Sequence, residues 1–119
     1  MSSFIPATLY RRPSADYAVA ELPLTVNLRP TFAEAHQNLA QLLAQQPGRE
    51  GEAIAHFEKA LRLRPGYAGA HNNLANLLAR LPGRERDAVA HYEAALRLNP
   101  HFTEAHYNLR QLLDRQQNR

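Results

Sequence analysis

Apolar and polar positions along this chain alternate with a helical period, and the pattern itself recurs. Ala35, Leu39, Leu42, Leu43 and Gln46 follow the 3-4 spacing of one helix face, which ends in a polar residue. This predicts a helix over 32–46. Thr31 and Glu34 supply a T-x-x-E capping pattern behind Pro30, and Pro47-Gly48 stops the helix. Residues 50–63 predict a second helix. Glu50 and Glu52 open it, where acidic side chains suit the positive end of the helix dipole. Ala53, Phe57, Ala60, Leu61 and Leu63 form its apolar face, and Pro65 ends it. The same pair is predicted at 67–81 and 85–98, separated by Pro82-Gly83, and a fifth helix at 102–116.

Residues 31–65 and 66–100 align without a gap and are identical at 22 of 35 positions; 101–116 begin a third copy. Self-similarity at such a period is the mark of stacked helix hairpins, so the fold class is an all-α solenoid. The fixed small residues fit this reading. Ala40 and Ala75 follow Leu39 and Leu74, Ala53 and Ala88 open the second helices, and Ala60 and Ala95 come two turns later. Small side chains at these places let two helices approach closely.

The three copies diverge at the ends. In the third, Arg110 and Asp114 replace Ala40/Ala75 and Ala44/Ala79, and two charges on one face suit a solvating cap. Residues 14–29 read as a degenerate half-repeat, because Ala18-Val19-Ala20 falls in register with Ala88-Val89-Ala90, Leu28 with Leu98 and Pro30 with Pro100. Pro23 stands mid-helix in that register, so a short helix near 14–22 followed by a break is expected. Residues 1–13 carry Pro6 and Pro13 without periodicity and read as a disordered or loosely docked arm. The domain proper is expected over 30–119.

The pattern closely resembles the tetratricopeptide repeat (TPR). That family spaces a leucine and a small residue in its first helix, helix A, then Ala, aromatic and Ala in its second, helix B, and then a proline. Here these are Leu39-Ala40, Ala53, Phe57, Ala60 and Pro65, and Leu74-Ala75, Ala88, Tyr92, Ala95 and Pro100. The likeness covers residues 31–116. It departs from the family in a 35-residue period and in histidine (His36, His71, His106) where an aromatic is usual early in helix A.

The resemblance implies a non-enzymatic module that binds a protein or peptide in a groove lined by helix A. The implied peptide-binding residues are Gln37, Asn38, Gln41, Asn72, Asn73, Asn76, Tyr107, Asn108 and Gln111. Asn38, Asn73 and Asn108 occupy one repeat position, similar to the asparagine ladder in the TPRs of O-linked N-acetylglucosamine transferases. Amide side chains carry a donor and an acceptor together and can pair with any extended backbone. The alternative for these amides is to bridge neighbouring helices. A clamp for chaperone-tail carboxylates is not implied, since Gln37, Gln41, Asn73, Glu104 and Asn108 stand where such clamps carry cations. A structural role is the alternative function: a dimer or head-to-tail assembly through incomplete terminal repeats, with Val19, Leu22 and Leu24 as the stickier end.

Composition narrows the field further. There is no cysteine, which removes disulfides and thiol chemistry and fits a reducing, cytoplasmic setting. No apolar run approaches membrane-spanning length, so no membrane partner is expected. The net charge of +3 is carried by 13 arginines and one lysine spread along the chain, not gathered into the basic face that nucleic acid requires. Six histidines raise the question of metal, but His36, His71 and His106 are repeat equivalents, as are His56 and His91. Equivalent positions in stacked helices lie on the order of 10 Å apart, too far to share a zinc ion. No cofactor or metal is expected, and the histidines read as structural groups that leave room for pH sensitivity near neutrality. No P-loop, G-x-S-x-G or H-E-x-x-H motif occurs, so no catalytic residue is assigned.

Overall fold

A computed structural model describes residues 31–118. The arm expected at 1–13, the half-repeat expected at 14–29 and the break at Pro23 lie outside the described residues. Five α-helices follow in order: α1 (Phe32–Ala44), α2 (Glu50–Leu63), α3 (Ala68–Ala79), α4 (Glu85–Leu98) and α5 (Thr103–Gln117). No strand occurs among the described residues.

The helices start and stop for the reasons the sequence offers. Thr31 stands immediately before α1, and acidic residues fill the first turns of α2 and α4. α1 and α3 end two residues earlier than predicted. Gln45, Gln46, Arg80 and Leu81 donate their backbone N–H groups three residues back, which tightens the last turn before the proline. Gly48 and Gly83 then take φ of 87° and 80°, a left-handed conformation that glycine adopts without a steric penalty. The Pro-Gly pair therefore reverses the chain twice, at equivalent places.

α1 packs on α2 and α3 on α4 as hairpins, α2 packs on α3 and α4 on α5 between repeats, and the first helices α1, α3 and α5 touch one another in sequence. The core is one continuous cluster. Ala40, Ala53, Ala75, Ala88 and Ala95 are completely buried where helices approach, and Phe57, Leu74, Leu78, Tyr92 and Leu112 fill the space between them. The small residues thus act as read, as places of close approach.

The apolar stripe of α1 is a correction. Leu43 is buried as expected, but Ala35 and Gln46 are exposed, and so are Leu39 at 41% and Leu42 at 60%. The same positions in α3 are Ala70, Leu74 and Leu77, all buried. A helix B from the preceding repeat covers this stripe in α3, and no described helix precedes α1. The buried side of α1 is instead Ala33, Gln37, Ala40 and Leu43, which face the hairpin partner and α3. Leu63 is likewise exposed at the end of α2. In α5, Arg110 and Asp114 are exposed, as a solvating surface requires, and no helix follows α5 among the described residues.

Candidate functional site

Three positions, almost all amides, recur along the first helix of each repeat: two adjacent ones and a third a turn further on. The first is Gln37, Asn72 and Tyr107; the second is Asn38, Asn73 and Asn108; the third is Gln41, Asn76 and Gln111. The structure treats the three differently.

The first position turns inward. Asn72 is only 1% exposed and donates Nδ2 to Oε2 of Glu104 in the next repeat at 3.2 Å. Its Oδ1 is buried without a partner among the described residues. Asn72 is therefore not on the groove surface, which corrects the sequence reading. A buried amide tied to a neighbouring helix is a spacer between repeats. Gln37, also buried, donates Nε2 to Oδ1 of Asn38 at 3.0 Å and to Oε1 of Gln41 at 3.4 Å, and its Oε1 accepts from Nδ2 of Asn73. It organises the amides around it and offers little surface of its own. Only Tyr107 is exposed at this position, and its hydroxyl accepts a hydrogen bond from Nε2 of Gln111.

The second and third positions form a ladder across repeats. Asn73 reaches back to Gln37, and Asn108 donates Nδ2 to Oδ1 of Asn76 at 3.0 Å. Oδ1 of Asn76 also accepts from the Tyr92 hydroxyl, which rises from α4. Burial pushes the Tyr92 hydroxyl up to about 12, so it stays a donor throughout the neutral range. These contacts fix the orientation of each amide, because a donor nitrogen cannot face another donor. The amides thus bridge neighbouring helices. Their outer atoms still border solvent, since Asn73, Asn76 and Asn108 are half-buried and Asn38, Gln41 and Gln111 exposed.

A shallow groove of about 190 Å³ runs between α1 and α3, lined by Gln41, Gln45, Asn73, Asn76, Arg80, Ala44 and Leu77 and floored by Phe57. It gathers three of the predicted residues. Gln111 lies apart, in a second depression with Asp114, Arg115 and Asn118. Gln45 and Arg80 are additions that the sequence reading missed. They occupy one repeat position, with Arg115, a single turn beyond Gln41, Asn76 and Gln111; extending the same i,i+4 row would have found them. Arg80 donates Nη2 to the carbonyl of Ala44 at 2.9 Å, and Arg115 to the carbonyl of Ala79 at 3.2 Å. Each cation so satisfies a terminal carbonyl of the previous first helix and faces the negative end of its dipole. The arginines therefore hold repeat to repeat.

The histidines pair in a way the repeat register alone did not suggest. Nδ1 of His36 on α1 lies 3.0 Å from Nδ1 of His56 on α2, and Nδ1 of His71 on α3 lies 3.0 Å from Nδ1 of His91 on α4. No group of three potential metal ligands occurs among the described residues, and no described helix is long and apolar enough to cross a membrane.

Helix hairpins repeated every 35 residues, with laddered first helices, define an all-α helical-repeat protein. The model of the TPR repeat matches residues 48–81, which span α2 and α3 across the junction of two hairpins, and the described residues are a tetratricopeptide-repeat solenoid. No curated protein matches the chain. TPR repeats serve generally as protein–protein interaction modules and are typically not catalytic.

Proposed function

We propose that this protein binds an extended peptide along the groove of its first helices, through Asn38, Gln41, Asn73, Asn76, Tyr107, Asn108 and Gln111. The observation that carries this reading is the division of labour within the amide ladder. Asn76 has both lone pairs of its Oδ1 engaged by Tyr92 and Asn108, so it offers a ligand only N–H. Asn73 and Asn108 have each committed one Nδ2 hydrogen to a neighbour, which leaves each with a free Oδ1 acceptor and a second Nδ2 hydrogen. The groove therefore presents both donors and acceptors, which is what the N–H and C=O groups of an extended backbone need. Gln37 supports the ladder from beneath through Asn38, Gln41 and Asn73. Arg80 is the one charged side chain among the residues lining the groove, and its guanidinium is engaged by the Ala44 carbonyl.

The test is Asn73→Ala combined with Asn108→Ala. Capture of a peptide partner should weaken by about 10-fold or more, since each lost hydrogen bond is worth ~1 kcal/mol, with helicity retained. Undiminished capture by a folded double variant would remove the groove as the site.

One observation favours a second reading, self-association. Phe32 is 80% exposed and shares the open face of α1 with Leu39 and Leu42. On this reading, sedimentation mass should rise with concentration and revert to the monomer in Leu42→Arg. A monomer mass at every concentration of the wild type would sink it. The N-terminal half-repeat expected as the contact surface lies outside the described residues.

A further inference from the structure

Each complete hairpin is closed by one histidine from each of its two helices. In both, the ring centroids lie 5.2 Å apart while the Nδ1 atoms are 3.0 Å apart. The centroids exceed the nitrogens by about two ring radii. The rings therefore meet edge to edge, nitrogen to nitrogen, and are not stacked face on face. This is the geometry of an in-plane N–H···N hydrogen bond. Two lone pairs converging on a metal ion would bring the centroids closer for the same nitrogen separation. We infer that His36–His56 and His71–His91 are proton-operated latches that hold the two helices of each hairpin together at neutral pH and release them in acid.

The chemistry of the pair sets how it opens. One ring must be the Nδ1–H tautomer and donate; the other accepts at Nδ1. A first proton, taken at Nε2 of the donor ring, leaves the N–H···N bond in place and strengthens it by charge. A second proton must go to the accepting Nδ1. Two N–H groups then oppose each other at one point, and two imidazolium charges face across a half-buried seam. Protonation of the accepting Nδ1 is the step that breaks the pair.

The surroundings act on the pairs unequally. Beside the first pair stand Lys59, which opposes a proton on His36, and Glu52, one turn before His56. Beside the second, Arg97 opposes and the Pro65 carbonyl supports a proton on His71, while Asp87 and Glu58 support and Arg84 opposes one on His91. The sum is unfavourable. Burial foremost holds His36, His71 and His91 below the ordinary imidazole value; the partner ring adds to this for His36 and His71. A folded-state pKa below the unfolded value means that the unfolded chain binds more protons. The stabilisation is thus full above the unfolded value of about 6.5 and is lost as pH falls through the folded values. His106, at the third equivalent position, places Nε2 2.9 Å from the Pro100 carbonyl, as His71 meets the Pro65 carbonyl, but it meets no second histidine among the described residues and joins no latch.

The experiment is a pH series of denaturant unfolding on the full chain. For each excess proton bound by the unfolded state, the folding constant should fall about tenfold per pH unit below pH 6.5. In the variant with His36, His56, His71 and His91 all changed to Gln, this fall should be largely lost, whereas His101→Gln with His106→Gln should retain it. An undiminished fall in the fourfold variant would overturn the inference. Independently of any variant, imidazole ¹⁵N shifts of the wild type at pH 7.5 should show one ring of each pair as the Nδ1–H tautomer. Four Nε2–H tautomers would overturn it as well, since no donor would then exist at either seam, and this readout decides the matter should the fourfold variant not fold.

Discussion

Phe57→Ala should lower the stability of the domain by about 3–5 kcal/mol. Phe57 is among the largest side chains that are fully buried, and it sits where α2 backs the groove between α1 and α3. Its removal forfeits the transfer of a full aromatic ring from water and leaves a void that helices braced by Ala53 and Ala60 cannot close by simple approach, because those contacts are already at alanine size. For a domain whose total stability falls in the usual range of about 5–15 kcal/mol, this is a large share. Thermal melting followed by circular dichroism reads the effect. A loss below about 1 kcal/mol would mean that α2 is not seated on α1 and α3 as described. The cost should also appear in binding, since the same ring floors the groove and sets the separation of Gln41 from Asn73.

The second large effect is a contrast between two leucines of identical repeat position. Leu74→Ala should cost about 2–5 kcal/mol, while Leu39→Ala should cost less than about 1 kcal/mol. The residues on either side are nearly the same in sequence, L-A-N-L-L-A in one and L-A-Q-L-L-A in the other. What differs is the neighbour. α2 lies across Leu74, whereas Leu39 faces outward. Equal costs in denaturant titrations of the two variants would mean that Leu39 is covered in solution.

This contrast shows where the sequence was sufficient and where it was not. Helix positions were legible to within two residues, because a 3.6-residue period and Pro-Gly punctuation are local signals that each segment carries by itself. The close-approach alanines were legible for the same reason, repeated at a fixed register in every copy. The groove was legible in outline. Asn73, Asn76 and Gln41 do come together, but Asn72, adjacent to Asn73, turns inward to Glu104. Adjacent helical residues differ by about 100° in direction, and which of two amides faces solvent depends on where the next helix lies. Arg80 was missed because its partner is a backbone carbonyl, Ala44 O, that no side-chain pattern announces.

The sequence by itself determined the class of protein: the repeat, its length, the helices and their order, and the amide character of the first-helix surface. These follow from short-range preferences and from self-similarity, which need no knowledge of contacts. Only the tertiary structure decided which faces are covered, which amides remain for a ligand, and that His36 meets His56 and His71 meets His91. Those outcomes depend on contacts such as Asn76–Tyr92 and the two histidine pairs, between residues 16 and 20 apart along the chain and brought together by the Pro-Gly reversal at Gly48 and Gly83. Hydrogen-bond geometry at 3.0 Å is a property of the packed hairpin, and a linear pattern of residues does not contain it.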